Sequence, residues 1–154
     1  MKIAIGSDHA GYDMKQYLLN ELVQQGYELK DYGTHSTESC DYPDMAVPVC
    51  RVVSEGEYDY GILICGTGVG MSLAANRFPK IRAANVAEPV TAQLTREHND
   101  ANVLCLGSRV IGPLLAVEIA RTFLATPFSN EQRHKRRIEK IEALSHCPDP
   151  ALNR

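Results

Sequence analysis

Apolar residues fall in two rhythms along this chain. Lys2 to Ser7, Tyr60 to Cys65 and Val103 to Leu106 are short, nearly unbroken apolar runs, the pattern of strands covered on both faces of a sheet. Between them apolar residues return at every fourth position, as in Met14, Leu18 and Leu22 or Leu115, Ile119 and Phe123, which lines one face of a helix. The spacing predicts strands at Lys2 to Ser7, Tyr27 to Tyr32, Tyr60 to Cys65, Arg82 to Val86 and Val103 to Leu106. Helices are predicted after Gly11, from about Pro43 to Ser54, from Met71 to Arg77, from about Pro89 to Glu97, from Ile111 to Leu124 and from about Glu131 to Leu144. Gly26 is placed to close the first helix, and Pro48 conflicts with the second.

Five strands alternating with helices form a parallel sheet, because parallel neighbours need crossovers, and the crossovers lay helices on both faces. The expected fold is a single-domain, Rossmann-like α/β fold with a five-stranded parallel sheet and one further C-terminal helix. That last helix falls outside the alternation and is either a cap on the domain or an arm toward a partner subunit. Residues 1–145 are assigned to the domain, and 146–154, with Pro148-Asp149-Pro150, to a C-terminal tail.

Composition narrows the function without fixing it. A chain of 154 residues holds one core and leaves no room for the separate catalytic domain of a NAD-dependent oxidoreductase. A net charge of -3 creates no global field for nucleic acid or an anionic membrane, so any anion must be bound locally. No apolar stretch approaches the roughly 20 residues of a membrane helix. The 5 cysteines (Cys40, Cys50, Cys65, Cys105 and Cys147) are odd in number and contain no C-x-x-C pair, which argues against a disulfide framework and a structural zinc site. With no signal-like segment ahead of the first strand, a cytoplasmic, reducing compartment is expected.

Ligands of an open α/β sheet bind at the carboxyl ends of strands, near the point where strand order reverses. Ser7-Asp8-His9, Asp31 to Thr34, Cys65 to Gly70, Glu88 and Ser108-Arg109 follow the five strands. The segment Gly66-Thr67-Gly68-Val69-Gly70 lets backbone N–H groups approach an anion at the start of a helix, although such a cluster is equally a tight turn. It lacks the Lys-Ser or Lys-Thr of a P-loop and the spacing of a dinucleotide fingerprint. Glu88, beyond the next strand, keeps a ribose-binding reading open. Cys65 stands just before the loop, where the helix start and the amides favour a thiolate, the form that acts as a base. The alternative is a small buried hydrophobe, the reading adopted for the other cysteines.

Asp8 is either a ligand or a helix cap. His98-Asn99-Asp100 is expected in the loop before the fifth strand, at the wrong end of its own sheet. It is either a simple turn or a contribution to a neighbouring subunit's site, where the imidazole would transfer protons. Arg133 and Arg137 lie one helical turn apart and form either a phosphate clamp or a solvated basic face with Glu139 and Glu142. No cluster of His, Cys and carboxylate has metal-ligand spacing, so neither a metal nor another cofactor is expected.

Ser7-Asp8-His9-Ala10-Gly11, Asp31-Tyr32-Gly33-Thr34, Asp41-Tyr42-Pro43, the run from Gly61 to Gly70, the run from His98 to Leu104 and Gly107-Ser108-Arg109-Val110 occur in this order. Together they resemble the type B ribose-5-phosphate isomerases, in the sugar-phosphate isomerase family that also holds galactose-6-phosphate isomerase subunits. The resemblance runs to about Leu144. It implies a metal-free aldose-ketose isomerisation of a five-carbon sugar phosphate through a cis-enediolate, a step of the pentose phosphate pathway, in a homodimer whose sites lie between subunits.

The same resemblance implies roles. Cys65 corresponds to the base that moves a proton between C1 and C2, Thr67 to its hydroxyl neighbour, and His98 to the acid that opens the furanose ring. Gly66, Thr67, Gly68, Val69 and Gly70 correspond to the amides that hold the enediolate oxygens. Asp8, His9 and Asn99 correspond to sugar contacts, and Arg109, Arg133 and Arg137 to the phosphate clamp. His98, Asn99 and Arg109 are expected to come from the partner chain. Allose 6-phosphate or another six-carbon aldose phosphate is the alternative substrate, and a non-catalytic nucleotide-binding module the alternative class. The chain departs from the family in two places. Asn130-Glu131-Gln132 replace a frequent Gly-Gly before Arg133-His134, which leaves the register of Arg133 against Arg136 and Arg137 open. Met71 stands where some relatives have a glutamate base, which puts the chain in the cysteine-dependent branch.

Overall fold

The computed structural model describes residues 1–144. β1 (Lys2–Ser7), β2 (Glu28–Asp31), β3 (Tyr60–Cys65), β4 (Ala83–Asn85) and β5 (Val103–Gly107) form one parallel sheet in the order β2-β1-β3-β5-β4. A short 3₁₀ turn at His9–Gly11 leads into α1 (Tyr12–Gln24). α2 (Tyr42–Ser54), α3 (Val69–Ala75), α4 (Pro89–Asn99), α5 (Pro113–Ala125) and α6 (Gln132–Leu144) complete the alternation.

The continuous apolar runs are explained by two-sided burial. Ile3, Ile5, Ile62, Ile64, Leu104 and Leu106 share one face of the sheet with Met14 and Leu18 of α1, Ala92 of α4 and Ile119 and Phe123 of α5. Ala4, Leu63, Cys65, Val103 and Cys105 share the other with Ala46, Val49 and Cys50 of α2 and Met71 and Ala75 of α3. The parallel sheet and its two helical layers are thus as the sequence predicts.

Alternation alone does not specify strand order, and here β5 lies between β3 and β4. The cause is burial: all of β5 is buried, whereas Ala83 and Ala84 are half-buried and Asn85 is exposed, which suits β4 to an edge. The chain leaves β1 for β2 on one side and for β3 on the other, so a crevice opens at the carboxyl ends of β1 and β3.

Beside shifts of one or two residues at the ends of other elements, four elements depart from the prediction in ways that have a physical cause. β4 is shorter than Arg82 to Val86 because Arg82 is drawn to Asn99, Asp100 and Glu142. α3 begins at Val69, so the glycine loop passes directly into it. α4 reaches Asn99, so His98 and Asn99 are helical and not in a loop, and Asp100 takes the left-handed cap at φ 46. α2 runs unbroken through Pro48, because Ala46, Val49, Cys50 and Val53 bury one face and outweigh the missing N–H. α6 caps the domain, joined to the rest by Arg82–Glu142 at 2.9 Å and by a ring stack onto α4. The expected tail and Cys147 lie outside the described residues. Among the described residues no helix is long and apolar enough to cross a membrane.

Two charged residues are used structurally. Lys15, fully buried on α1, forms an ion pair with Asp31 at the end of β2, whose other oxygen accepts the Gly33 N–H at 3.0 Å. Glu88 accepts the N–H groups of Val90 and Thr91 at 2.6 Å each and caps α4. Both of its oxygens are thereby engaged in the cap, a structural role not expected of Glu88 from the sequence.

Hydrogen bonding from the Thr91 side chain first, and then from the Thr91 and Val90 N–H groups, holds the Glu88 carboxyl below its ordinary range against a smaller opposing effect of desolvation. Since the ionised form is the one the native state favours, its contribution is full above that range and is lost as pH falls through the lowered native value. Glu88→Ala is expected to melt at a lower temperature near neutral pH and to converge with the native chain in acid. A gap in Tm that persisted unchanged in acid would remove the carboxylate charge from this account.

Candidate functional site

Cys65 ends β3 and is 5% exposed. The chain then turns through Gly68, whose φ of 77° lies in the left-handed region and whose N–H donates to Cys65 Sγ at 3.2 Å. Glycine is required here twice over, since a Cβ would come within 2.1 Å of Asn85 Oδ1. Asn85 donates through Nδ2 to Thr67 O at 3.3 Å, so the last residue of β4 fastens the loop. α3 begins at the next residue. Thr67 is exposed and its Oγ1 accepts the Val69 N–H at 3.4 Å. Gly70 lies under the Tyr42 ring, 2.9 Å from where a Cβ would be.

The end of β1 joins this loop from the neighbouring strand. Asp8 is buried and donates its N–H to Ile64 O at 3.1 Å, while Oδ1 accepts from Gly11 N at 3.0 Å, so it does cap the turn into α1. His9 Nδ1 accepts the Cys40 N–H at 3.2 Å, which puts the proton of the neutral ring on Nε2. Ser108 Oγ lies within hydrogen-bond reach of Ala10 O at 2.7 Å and Cys65 O at 3.2 Å, lacing together the ends of β1, β3 and β5. Arg109 donates its N–H to Gly66 O at 3.0 Å, and its side chain passes over Gly66, 3.5 Å from the position a Cβ would occupy. Asp8, His9, Cys65, the loop from Gly66 to Gly70 and Arg109 therefore meet at one rim.

Two further cysteines, Cys50 and Cys105, are buried on the same side of the sheet. Burial pushes Cys50 up to about 12 and Cys105 well above the usual thiol range, so both are neutral small hydrophobes, as expected.

His98, Asn99, Arg133 and Arg137 form a second group. Asn99 O and Asp100 O accept from Arg82 Nε at 3.0 Å each, just ahead of β4, at the amino edge of the sheet. Cys65 is level with Gly107, at the opposite end of β5 from Val103, about 13 Å away along the strand. The His98 ring stacks on His134 of α6, centroids 4.5 Å apart and planes 7° apart. Arg133 and Arg137 flank His134 on that helix, and Arg133 Nε pairs with Glu131 at 2.7 Å. α6 starts at Gln132, so Arg133 lies in its first turn, with Arg137 one turn on.

Arg109 lies at the rim where its place after β5 puts it: the backbone bond to Gly66 holds it at the Cys65 end of its own chain, apart from His98 and Asn99, with which it is expected to enter from a partner. Asn85 was not singled out from the sequence, Tyr42 entered only within Asp41-Tyr42-Pro43, and His134 only as the neighbour of Arg133. A signal existed for His134, which precedes Ile138 and Ile141 at i, i+4 and i+7 and so belongs to the packing face. Among the described residues no group of three or more His, Cys, Asp or Glu is arranged to hold a metal ion.

A sulfur base beneath a row of amides can take a proton from a carbon beside a carbonyl while the amides stabilise the developing oxyanion. The second group offers an imidazole for proton transfer and guanidiniums for a phosphate.

Known proteins share this sequence and fold. Ribose-5-phosphate isomerase B of Escherichia coli is 50% identical over 143 residues, 93% of this chain and 95% of its own length. D-erythrulose-4-phosphate isomerase of Pectobacterium atrosepticum is 40% identical over 147 residues, 95% of this chain and 96% of its own. The structure of Clostridium thermocellum ribose-5-phosphate isomerase B matches with a TM-score of 0.93 at 49% identity, covering 95% of this chain and 98% of that one. Residues 3–141 match the ribose/galactose isomerase family, and with these relatives over nearly its whole length the chain belongs to that family.

Proposed function

We propose that the protein is a cytoplasmic, homodimeric ribose-5-phosphate isomerase that interconverts ribose 5-phosphate and ribulose 5-phosphate through a cis-enediolate, with no metal or other cofactor. The observation that carries this reading is the Cys65 sulfur beneath the glycine loop, receiving the Gly68 N–H at 3.2 Å. That bond strengthens as negative charge builds on sulfur.

His98 protonates the ring oxygen as the C1–O4 bond breaks, while the O1 hydroxyl gives its proton to solvent and becomes the C1 carbonyl. Cys65 takes the C2 proton of the open aldose, the electron pair forms the C1–C2 double bond, and O1 gains the charge. The amides from Gly66 to Gly70 hold the two oxygens, with Thr67 beside them. The O2 proton passes to O1, and Cys65 returns its proton to C1, which leaves the carbonyl at C2. Asp8, His9 and Asn99 orient the sugar, and Arg109, Arg133 and Arg137 hold the phosphate.

Two features support a shared site. The groups that would act together lie at opposite edges of one sheet, and a two-fold axis brings opposite edges of two copies face to face. Exposed Val69 and Leu73 on α3 and Val90 and Leu94 on α4 flank the β4 edge, an apolar surface suited to a second copy. A four-carbon substrate is the second reading, favoured by the erythrulose-phosphate relative.

The test is ribulose 5-phosphate formation in EDTA, with allose 6-phosphate and D-erythrulose 4-phosphate in parallel, followed by mixing of two inactive variants. Cys65→Ala and His98→Asn are each expected to fail alone. After subunit exchange the mixture should recover about a quarter of native activity, because half the dimers then carry one intact site. Absence of recovery between exchanged, folded chains would mean that each site is built within one subunit. Turnover of only the six-carbon or four-carbon sugar would reassign the substrate.

A further inference from the structure

His134 has no role in the site as assigned, yet it is the one buried residue of α6 among those described, at 3% exposure. Its Nε2 is enclosed and has no hydrogen-bond partner. A protonated ring would bury an N–H with no acceptor, so His134 is held neutral by burial first, and by Arg133, His98 and Arg137, with Glu131 opposing. The one well-defined interaction of the ring is its parallel stack on His98, at 4.5 Å and 7°.

We propose that His134 is a positioning residue: its flat, uncharged ring fixes the plane of the His98 imidazole, and so the direction in which His98 delivers its proton to the sugar ring oxygen. The inference rests on His98 as the ring-opening acid. An imidazole at the end of a helix, beside the left-handed cap at Asp100, turns about χ1 and χ2 unless something lies against its face. Orientation of this kind changes the rate of the step it serves and leaves other steps alone.

Ring opening and enolisation can be measured apart, because ribulose 5-phosphate has no furanose form to open. His134→Leu fills the same space without a plane, and His134→Phe restores the plane. His134→Leu is expected to lower kcat for ribose 5-phosphate by about ten- to a hundredfold with little change in KM. Its exchange of the C1 proton of ribulose 5-phosphate with D2O should stay within about twofold of native, and His134→Phe should recover most of the lost kcat.

A His134→Leu variant with native kcat would remove the role. Parallel loss of turnover and exchange would reduce it to packing, and a His134→Phe variant as slow as His134→Leu would show that stacking is not the means. Cys65→Ala in the same exchange assay checks the underlying reading separately. Exchange that survived it would overturn the cysteine base whatever His134 did.

Discussion

Cys65→Ala is expected to convert ribose 5-phosphate about a hundred- to ten-thousandfold more slowly than the native chain, the contribution typical of a positioned acid-base group. Folding should be little affected, because the substitution removes one small atom at a strand end and leaves the loop's other fastenings, Asn85 to Thr67 and Arg109 to Gly66, in place. No neighbour can substitute: the buried Cys50 and Cys105 stay protonated at neutral pH. Cys65→Ser keeps an acceptor for the Gly68 N–H but offers a far weaker base, and should be nearly as slow. A coupled assay of ribulose 5-phosphate, read beside thermal melting, decides the matter. Activity within about tenfold of native in a folded Cys65→Ala protein would move the base to another group.

Asp31→Ala should have the largest effect on stability, about 3 kcal/mol, the lower end of what losing one partner of a buried ion pair costs. Lys15 would be left charged with no exposure to water, and the Gly33 N–H would lose its acceptor. Against a total of about 5–15 kcal/mol for a domain of this kind, that lowers Tm by about 6–12 °C. Adding Lys15→Met should restore most of the loss, because the damage lies in the uncompensated charge and not in missing volume. Urea denaturation of the single and double variants measures both. Equal loss in the two would mean that the Asp31 contacts themselves hold β2 in place.

The sheet was legible wherever strands are covered on both sides. β1, β3 and β5 announce themselves as apolar runs, and the glycine loop after β3 follows from its composition. β4 was harder because an edge strand of Ala-Ala-Asn has little apolar pattern to read. The crossing of Pro48 by α2 was hidden because packing of a whole helix face outweighs one lost bond. At the site, Cys65 and the residues after β1 could be found because they follow strands directly. The stack of His98 on His134 could not, since it joins side chains of two helices separated by an entire strand and a further helix. Arg109 could be found for the same reason as Cys65, since it follows β5 directly, and its backbone bond to Gly66 then ties it to the loop after the neighbouring strand.

The place of β5 between β3 and β4 bears on how the molecule comes into being at the ribosome. β2, β1 and β3 can pair as soon as they emerge, but β3 then presents an open edge, and β4 has no strand to pair with until β5 arrives. Synthesis proceeds from the amino end, so roughly two-thirds of the chain must be made before that edge is closed and the loop carrying Cys65 gains its Asn85 fastening. The nascent chain is most prone to pair with another copy during that interval, and the arrival of Val103–Gly107 ends it in a single insertion.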